Sequence, residues 1–193
     1  MVVNGAHQLV ILDDFIPYDM VSNRPAFCKR ITNNIWPLLL EKAWAKINGS
    51  YEDTISGSSS EALKFLVLYP VNYIKTCDST EKIESIWDEI ENASYFEYMV
   101  TCSTNDSDDS TEKTKDDESG IVLNHCYSIT GNYEVKTPPG KLEKLLKISN
   151  PWNKQEYKGK WSDLDDSWTS DLKTEVDYDS KLPGEFYVDF ETF

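Results

Sequence analysis

The apolar periodicity of this chain changes halfway along, and no single-class fold accommodates both halves. In NNIWPLLLEKAWAKINGSY, Leu39, Leu40, Ala43, Trp44 and Ile47 recur at helical spacing. Asn33 or Asn34 offers the N-cap, Pro37 sits in the first turn and Gly49 lies just past the end, so a helix is expected there. GSSSEALKFL offers a serine cap at Ser59 or Ser60 for a shorter second helix. Ser79 or Thr80 opens a third, with Ile83, Ile86, Trp87 and Ile90 on one stripe, and both the second and third helices are expected to pack one face on a sheet. Strand signals frame them: QLVILDDFI (8–16) running into Pro17, then 95–102, GIVLNHCYSITG, KLEKLLKIS and GEFYVDF, separated by Pro, Gly and Asn turns. Helices early and strands late predict an α+β domain on an antiparallel sheet or barrel with a few packed helices. At 193 residues, a single domain spanning 1–193 is expected.

Charge narrows the partners. Nineteen Lys and Arg against 34 Asp and Glu give a net charge of −15, which repels a phosphate backbone and an anionic membrane surface alike. Six Trp, 11 Tyr and 7 Phe argue against a globally disordered chain. The best apolar run, from Phe65 to Val71, is broken by Pro70 and is far short of the roughly 20 residues a spanning helix needs. The opening MVVNGAHQLVILDD lacks a positive n-region, so a signal peptide is not expected and a cytoplasmic location is the default. Cys28, Cys77, Cys102 and Cys126 form no CxxC pair, which predicts free thiols for most of them rather than a zinc site or a disulfide framework. Residues 103–119 contain seven acids and two lysines and no apolar side chain; this acidic insertion is expected to be disordered, either as an interaction loop or as a solvated insertion between strands.

Two histidines are present. His7 stands near a terminus, where a surface role suffices. His125 lies in a strand-like run, where alternation places it with Leu123 and Tyr127 and sends Asn124, Cys126 and Ser128 to the other face. From periodicity alone such a histidine is more often a structural, hydrogen-bonded group than a catalyst, and adjacent strand side chains point apart, so Cys126 is not its partner.

GIVLNHCYSITG, followed by LLKISNPWNKQEYKGKWSD and GEFYVDFETF, closely resembles the histidine and asparagine motifs and the closing strand of the calpain family of papain-like cysteine endopeptidases. Upstream, ILDDFIP, IWPLLLEKAWAKINGSYEDTISGSSSEAL and YMVTCS resemble the same family in the same order. The resemblance implies a papain-like C-terminal catalytic subdomain with His125 at the catalytic histidine position, Asn150 as the asparagine that orients it, and Trp152 beside that pair, excluding water. Without the resemblance, Asn150 before Pro151 reads as a turn residue.

The family's nucleophile sits in a run of the type Q…GDCW, which no cysteine here occupies; Cys28 is in PAFCKR and Cys77 in KTCDS, and the only glutamines are Gln8 and Gln155. The chain is therefore expected to open where the family's second subdomain opens and to be inactive alone, acting on protein or peptide substrates with a Cys-bearing half. The alternatives are a calpain-like binding or regulatory module without catalysis, and an unrelated aromatic-rich carbohydrate or peptide binder. Because calpains are calcium-dependent, the resemblance also implies metal ligands at Glu156, Asp163 and Glu185. Pro183 stands where an acid is usual, which predicts weak Ca2+ binding or none. Neither Asp163 nor Asp106 opens an EF-hand, since the sixth positions are Trp168 and Thr111 and the twelfth Thr174 and Asp117.

Overall fold

The computed structural model describes residues 1–3, 5–28, 34–67, 70–75, 80–104, 119–138, 140–152 and 157–192. The chain forms two compact units, Met1–Tyr73 and Ile74–Phe193.

In the first unit, two short antiparallel ladders, β1 (Val2–Val3) with β2 (Ala6–His7) and β3 (Tyr18–Asp19) with β4 (Arg24–Pro25), precede α1 (Trp36–Asn48) and α2 (Ser59–Leu66). Helix α1 buries Leu38, Ala43 and Ala45 and ends at Gly49, whose φ of 116° only glycine adopts freely. Its N-cap is Ile35 without a side-chain cap bond, rather than Asn34; Asn33 lies outside the described residues. The Pro37 ring relieves part of the need for a cap, because it removes one of the first-turn donors. Helix α2 forms as expected but is capped one residue earlier than Ser59 or Ser60, at Ser58 and without a side-chain cap bond, and it sets Phe65 edge-on against Trp44 of α1, so its ring contact is with a helix.

The strand expected over residues 8–16 does not form. Leu9, Ile11 and Phe15 are all exposed, and the backbone of this segment has no ladder. Its carbonyls go instead to lysines of α1: Lys42 Nζ donates to Asp13 O (3.2 Å) and Phe15 O (2.5 Å), and Lys46 Nζ to Ile11 O (2.6 Å). β-Branched content predicted a strand, but a strand needs a neighbour to pair with.

The second unit is a four-stranded antiparallel sheet in the order β5 (Val100–Ser103), β6 (Cys126–Thr137), β7 (Lys141–Ser149), β8 (Glu185–Asp189), with α3 (Thr80–Tyr95) and α4 (Ser170–Glu175). The described sheet is open rather than a closed barrel, and the molecule is α+β as expected. Tyr95 belongs to α3, so β5 is shorter than the sequence signal. Strand β6 starts only at Cys126, because Asn124 takes a left-handed φ of 52° that breaks the extended run.

Period two divides the sheet into two cores. Leu146, Ile148, Phe186 and Val188 face one side with Trp87 and Ile90 of α3; Leu145 and Tyr187 face the other with Val135, Trp161, Leu172 and Val176. Of the predicted stripe Ile83, Ile86, Trp87 and Ile90, Trp87 and Ile90 are in the core and Ile86 packs against it, while Ile83 is half-buried. Most of the acidic insertion, residues 105–118, lies outside the described residues, as does Cys77.

Candidate functional site

The site gathers where β6 begins and β7 ends. Ser128 opposes Ser149 at the end of the β6–β7 ladder, so His125, just before β6, and Asn150, just after β7, lie at the same end of the sheet. His125 is anchored through its backbone: its N–H donates to Thr104 Oγ1 (3.2 Å) and its carbonyl accepts from Thr104 N–H (3.0 Å). The Tyr127 ring stands perpendicular to the imidazole at a centroid distance of 4.8 Å, held by its hydroxyl, which accepts from Val122 N–H at 2.8 Å. The Trp152 ring, half-exposed, lies 4.1 Å from the imidazole, tilted by 43°. The imidazole thus contacts two aromatic rings.

Asn150 is 5% exposed, and its backbone N–H donates to Gly184 O at 3.0 Å. Its Oδ1 lies 3.0 Å from His125 Nε2 and also accepts from Trp152 N–H at 3.0 Å. The second bond assigns the first. A backbone N–H only donates, so the atom facing Trp152 must be the amide oxygen; that oxygen in turn requires a proton on His125 Nε2. In the neutral ring this leaves the lone pair on Nδ1, and the arrangement makes Nδ1 a proton acceptor whose ring plane is fixed by Asn150.

Three expected site residues, His125, Asn150 and Trp152, thus come together. His7 is exposed in β2. Thr104 and Tyr127 were not singled out as part of the site: Thr104 opens the acidic run, where nothing marks it, whereas Tyr127, two residues on from His125 on one strand face, carried a signal in that spacing.

The described cysteines, Cys28, Cys102 and Cys126, are free. Burial pushes the Cys102 thiol up to about 12, with Cys126 adding to the shift, and burial followed by the nearby Glu41 raises that of Cys28. Neither ionises readily near neutrality. Cys126 Sγ points to Tyr127 O at 3.8 Å, in keeping with adjacent side chains diverging.

Of the carboxylates expected to hold a metal, Glu156 lies outside the described residues. Asp163 pairs with Lys181 and accepts from Tyr178 Oη at 2.7 Å; burial works to raise its carboxyl, but Lys181 and Tyr178 outweigh it and hold it below the ordinary range. Glu185, 5% exposed, pairs with Lys147 at 3.2 Å and accepts from Leu182 N–H at 2.8 Å. Among the described residues no three His, Cys, Asp or Glu side chains cluster as a metal site. Both described carboxylates have their charge matched by an ammonium, so they do not fit an open cation site as they stand.

An open antiparallel sheet with an imidazole fixed by a buried carboxamide at its end falls within the α+β, papain-like class of protease domains. The family model for calpain family cysteine proteases matches residues 1–193. The chain is 37% identical to human calpain-14 over 159 residues, covering 82% of this chain and 22% of that protein. It is 30% identical to calpain-9 of Rattus norvegicus over 188 residues (95% and 26%) and 30% identical to calpain clp-4 of Caenorhabditis elegans over 191 residues (95% and 25%). This chain belongs to the calpain family of cysteine proteases, and it spans about a quarter of the length of these relatives.

Proposed function

We propose that this chain supplies the general-base histidine, His125, and its orienting asparagine, Asn150, to a calpain-type endopeptidase whose nucleophile comes from a Cys-bearing half. The observation that carries the reading is the shared Oδ1 of Asn150, which accepts from Trp152 N–H and thereby sets the His125 tautomer. Nδ1 takes the proton of the incoming thiol, so that the thiolate attacks the scissile carbonyl, and the imidazolium then protonates the leaving amine. Asn150 Oδ1 stabilises the imidazolium without taking a charge, and the Trp152 ring keeps water from that hydrogen bond. The substrates are proteins or peptides. The sequence carries no cysteine in a GDCW-type run, so the chain by itself turns over no peptide bond.

The test is reconstitution with a Cys-bearing calpain half that contains the GDCW-type run. Peptidase turnover appearing only in the mixture, and lost in His125→Ala, is the expected result. Turnover by the isolated chain, or rapid labelling of one of its cysteines by an epoxide thiol inhibitor, contradicts it; a folded chain that binds the other half without any turnover favours the non-catalytic binding module.

The calpain family is in general calcium-regulated. For this chain we propose weak Ca2+ binding or none at Glu156, Asp163 and Glu185, because an ion would have to displace Lys181 and break the Lys147–Glu185 pair, and Pro183 offers no side-chain oxygen. Isothermal titration is expected to give no heat, or heat only at high calcium; a tight site contradicts this. The free thiols suit a cytoplasmic setting, which we propose for the chain.

A further inference from the structure

We infer that the buried Lys147–Glu185 ion pair is a positioning device for Asn150, and through it for the His125 ring; this rests on the functional reading of that pair. Lys147 and Glu185 are 8% and 5% exposed, with Nζ and a carboxylate oxygen 3.2 Å apart. A buried pair of this kind is a poor investment in stability alone, since two apolar side chains of similar size generally do as well, so what it contributes must be sought in the geometry it enforces.

That geometry leads to the site. The Glu185 carboxylate accepts from Leu182 N–H at 2.8 Å, while Glu185 N–H donates back to Leu182 O at 3.0 Å, which closes the turn 182–185 on itself. Gly184 lies in this turn at a φ of 86°, and its carbonyl is the acceptor of the Asn150 backbone N–H. The Thr130 hydroxyl, at the bulge where the β6–β7 register shifts between Ile129 and Gly131, lies 3.1 Å from the same carboxylate and 3.3 Å from Lys147 O. Lys147 stands three residues before Asn150 on the same chain. The route is continuous: ammonium to carboxylate, carboxylate to turn, turn carbonyl to Asn150, and Asn150 Oδ1 to His125 Nε2. Lys147 and Glu185 are positioning residues in this scheme and touch no reacting atom.

The experiment is performed on the intact chain, reading the 15N signals of the His125 ring and the hydrogen exchange of the Asn150 amide. Wild type shows the Nε2–H tautomer and a protected amide. The Lys147→Met/Glu185→Leu double variant removes both charges at similar volume; it is expected to keep its near-UV circular dichroism while Asn150 exchange rises about tenfold and the Nε2–H tautomer loses its dominance. Lys147→Arg, which keeps the pair, is expected to leave both signals as in wild type. A milder variant, Lys147→Met with Glu185→Gln, keeps an acceptor for Leu182 and is expected to change both signals in the same direction to a smaller degree. Unchanged exchange and tautomer in either folded charge-free variant overturn the inference, and the milder variant decides the matter if the harsher one does not fold. A wild-type chain without the Nε2–H tautomer would overturn the His125–Asn150 reading itself, which distinguishes the two failures.

Discussion

At the scale of single residues, the chain holds one imidazole in one tautomer by giving a single amide oxygen two donors. Removing that oxygen should loosen the ring without unfolding the sheet. In the reconstituted peptidase Asn150→Ala is expected to lower kcat by about 10- to 100-fold with little change in KM, because it loses orientation rather than substrate contact. Steady-state kinetics check this, and a change confined to KM would contradict it. Asn124 tests the backbone beside it: with φ at 52°, Asn124→Val is expected to cost about 1–3 kcal/mol in denaturant unfolding, whereas Asn124→Gly is tolerated.

Cys102 makes a residue-scale prediction in pH. Its thiol is raised from an ordinary value of 9.0 to about 12 in the folded chain, chiefly by burial, so above pH 9 the unfolded chain releases a proton that the folded chain keeps. Stability is therefore expected to fall as pH rises from about 9 to about 12, by at most about 1.4 kcal/mol per unit from this group. Comparing the slope of unfolding free energy against pH in wild type and Cys102→Val isolates the contribution; identical slopes would contradict it.

At the scale of elements, what was legible depended on whether a segment's signal was complete in itself. Helix α3 was readable because Ile86, Trp87 and Ile90 share one stripe that had to be buried somewhere, and β7 because LLKI carries apolar residues for both faces of a covered strand. The run 8–16 forms no strand although its β-branched residues favour one, since they say nothing about whether a partner strand exists; the competing hydrogen bonds come from Lys42 and Lys46, distant in sequence. The strand around His125 was drawn too long, since alternation is silent about a left-handed residue such as Asn124. His125, Asn150 and Trp152 were legible through family motifs, not through periodicity, and the pairing of Glu185 with Lys147 was not legible at all, because it depends on register between β7 and β8. Leu146, 1% exposed, packs in the core under α3, so Leu146→Ala is expected to cost about 2–5 kcal/mol, measured by denaturant unfolding. A cost below about 1 kcal/mol would mean that the sheet is not packed as described.

At the scale of the whole molecule, a net charge of −15 bears on which partners approach the chain. An acidic surface favours basic partners and peptides and makes association faster at low salt. The central claim is that this polypeptide contributes the base and not the sulfur. Its most direct test is the turnover of a peptide substrate by the chain mixed with a Cys-bearing calpain half, compared between wild type and His125→Ala. The account predicts activity in the wild-type mixture, none in either part alone, and a loss of about 100- to 10,000-fold in kcat/KM for His125→Ala. Equal turnover by the His125→Ala mixture would contradict it.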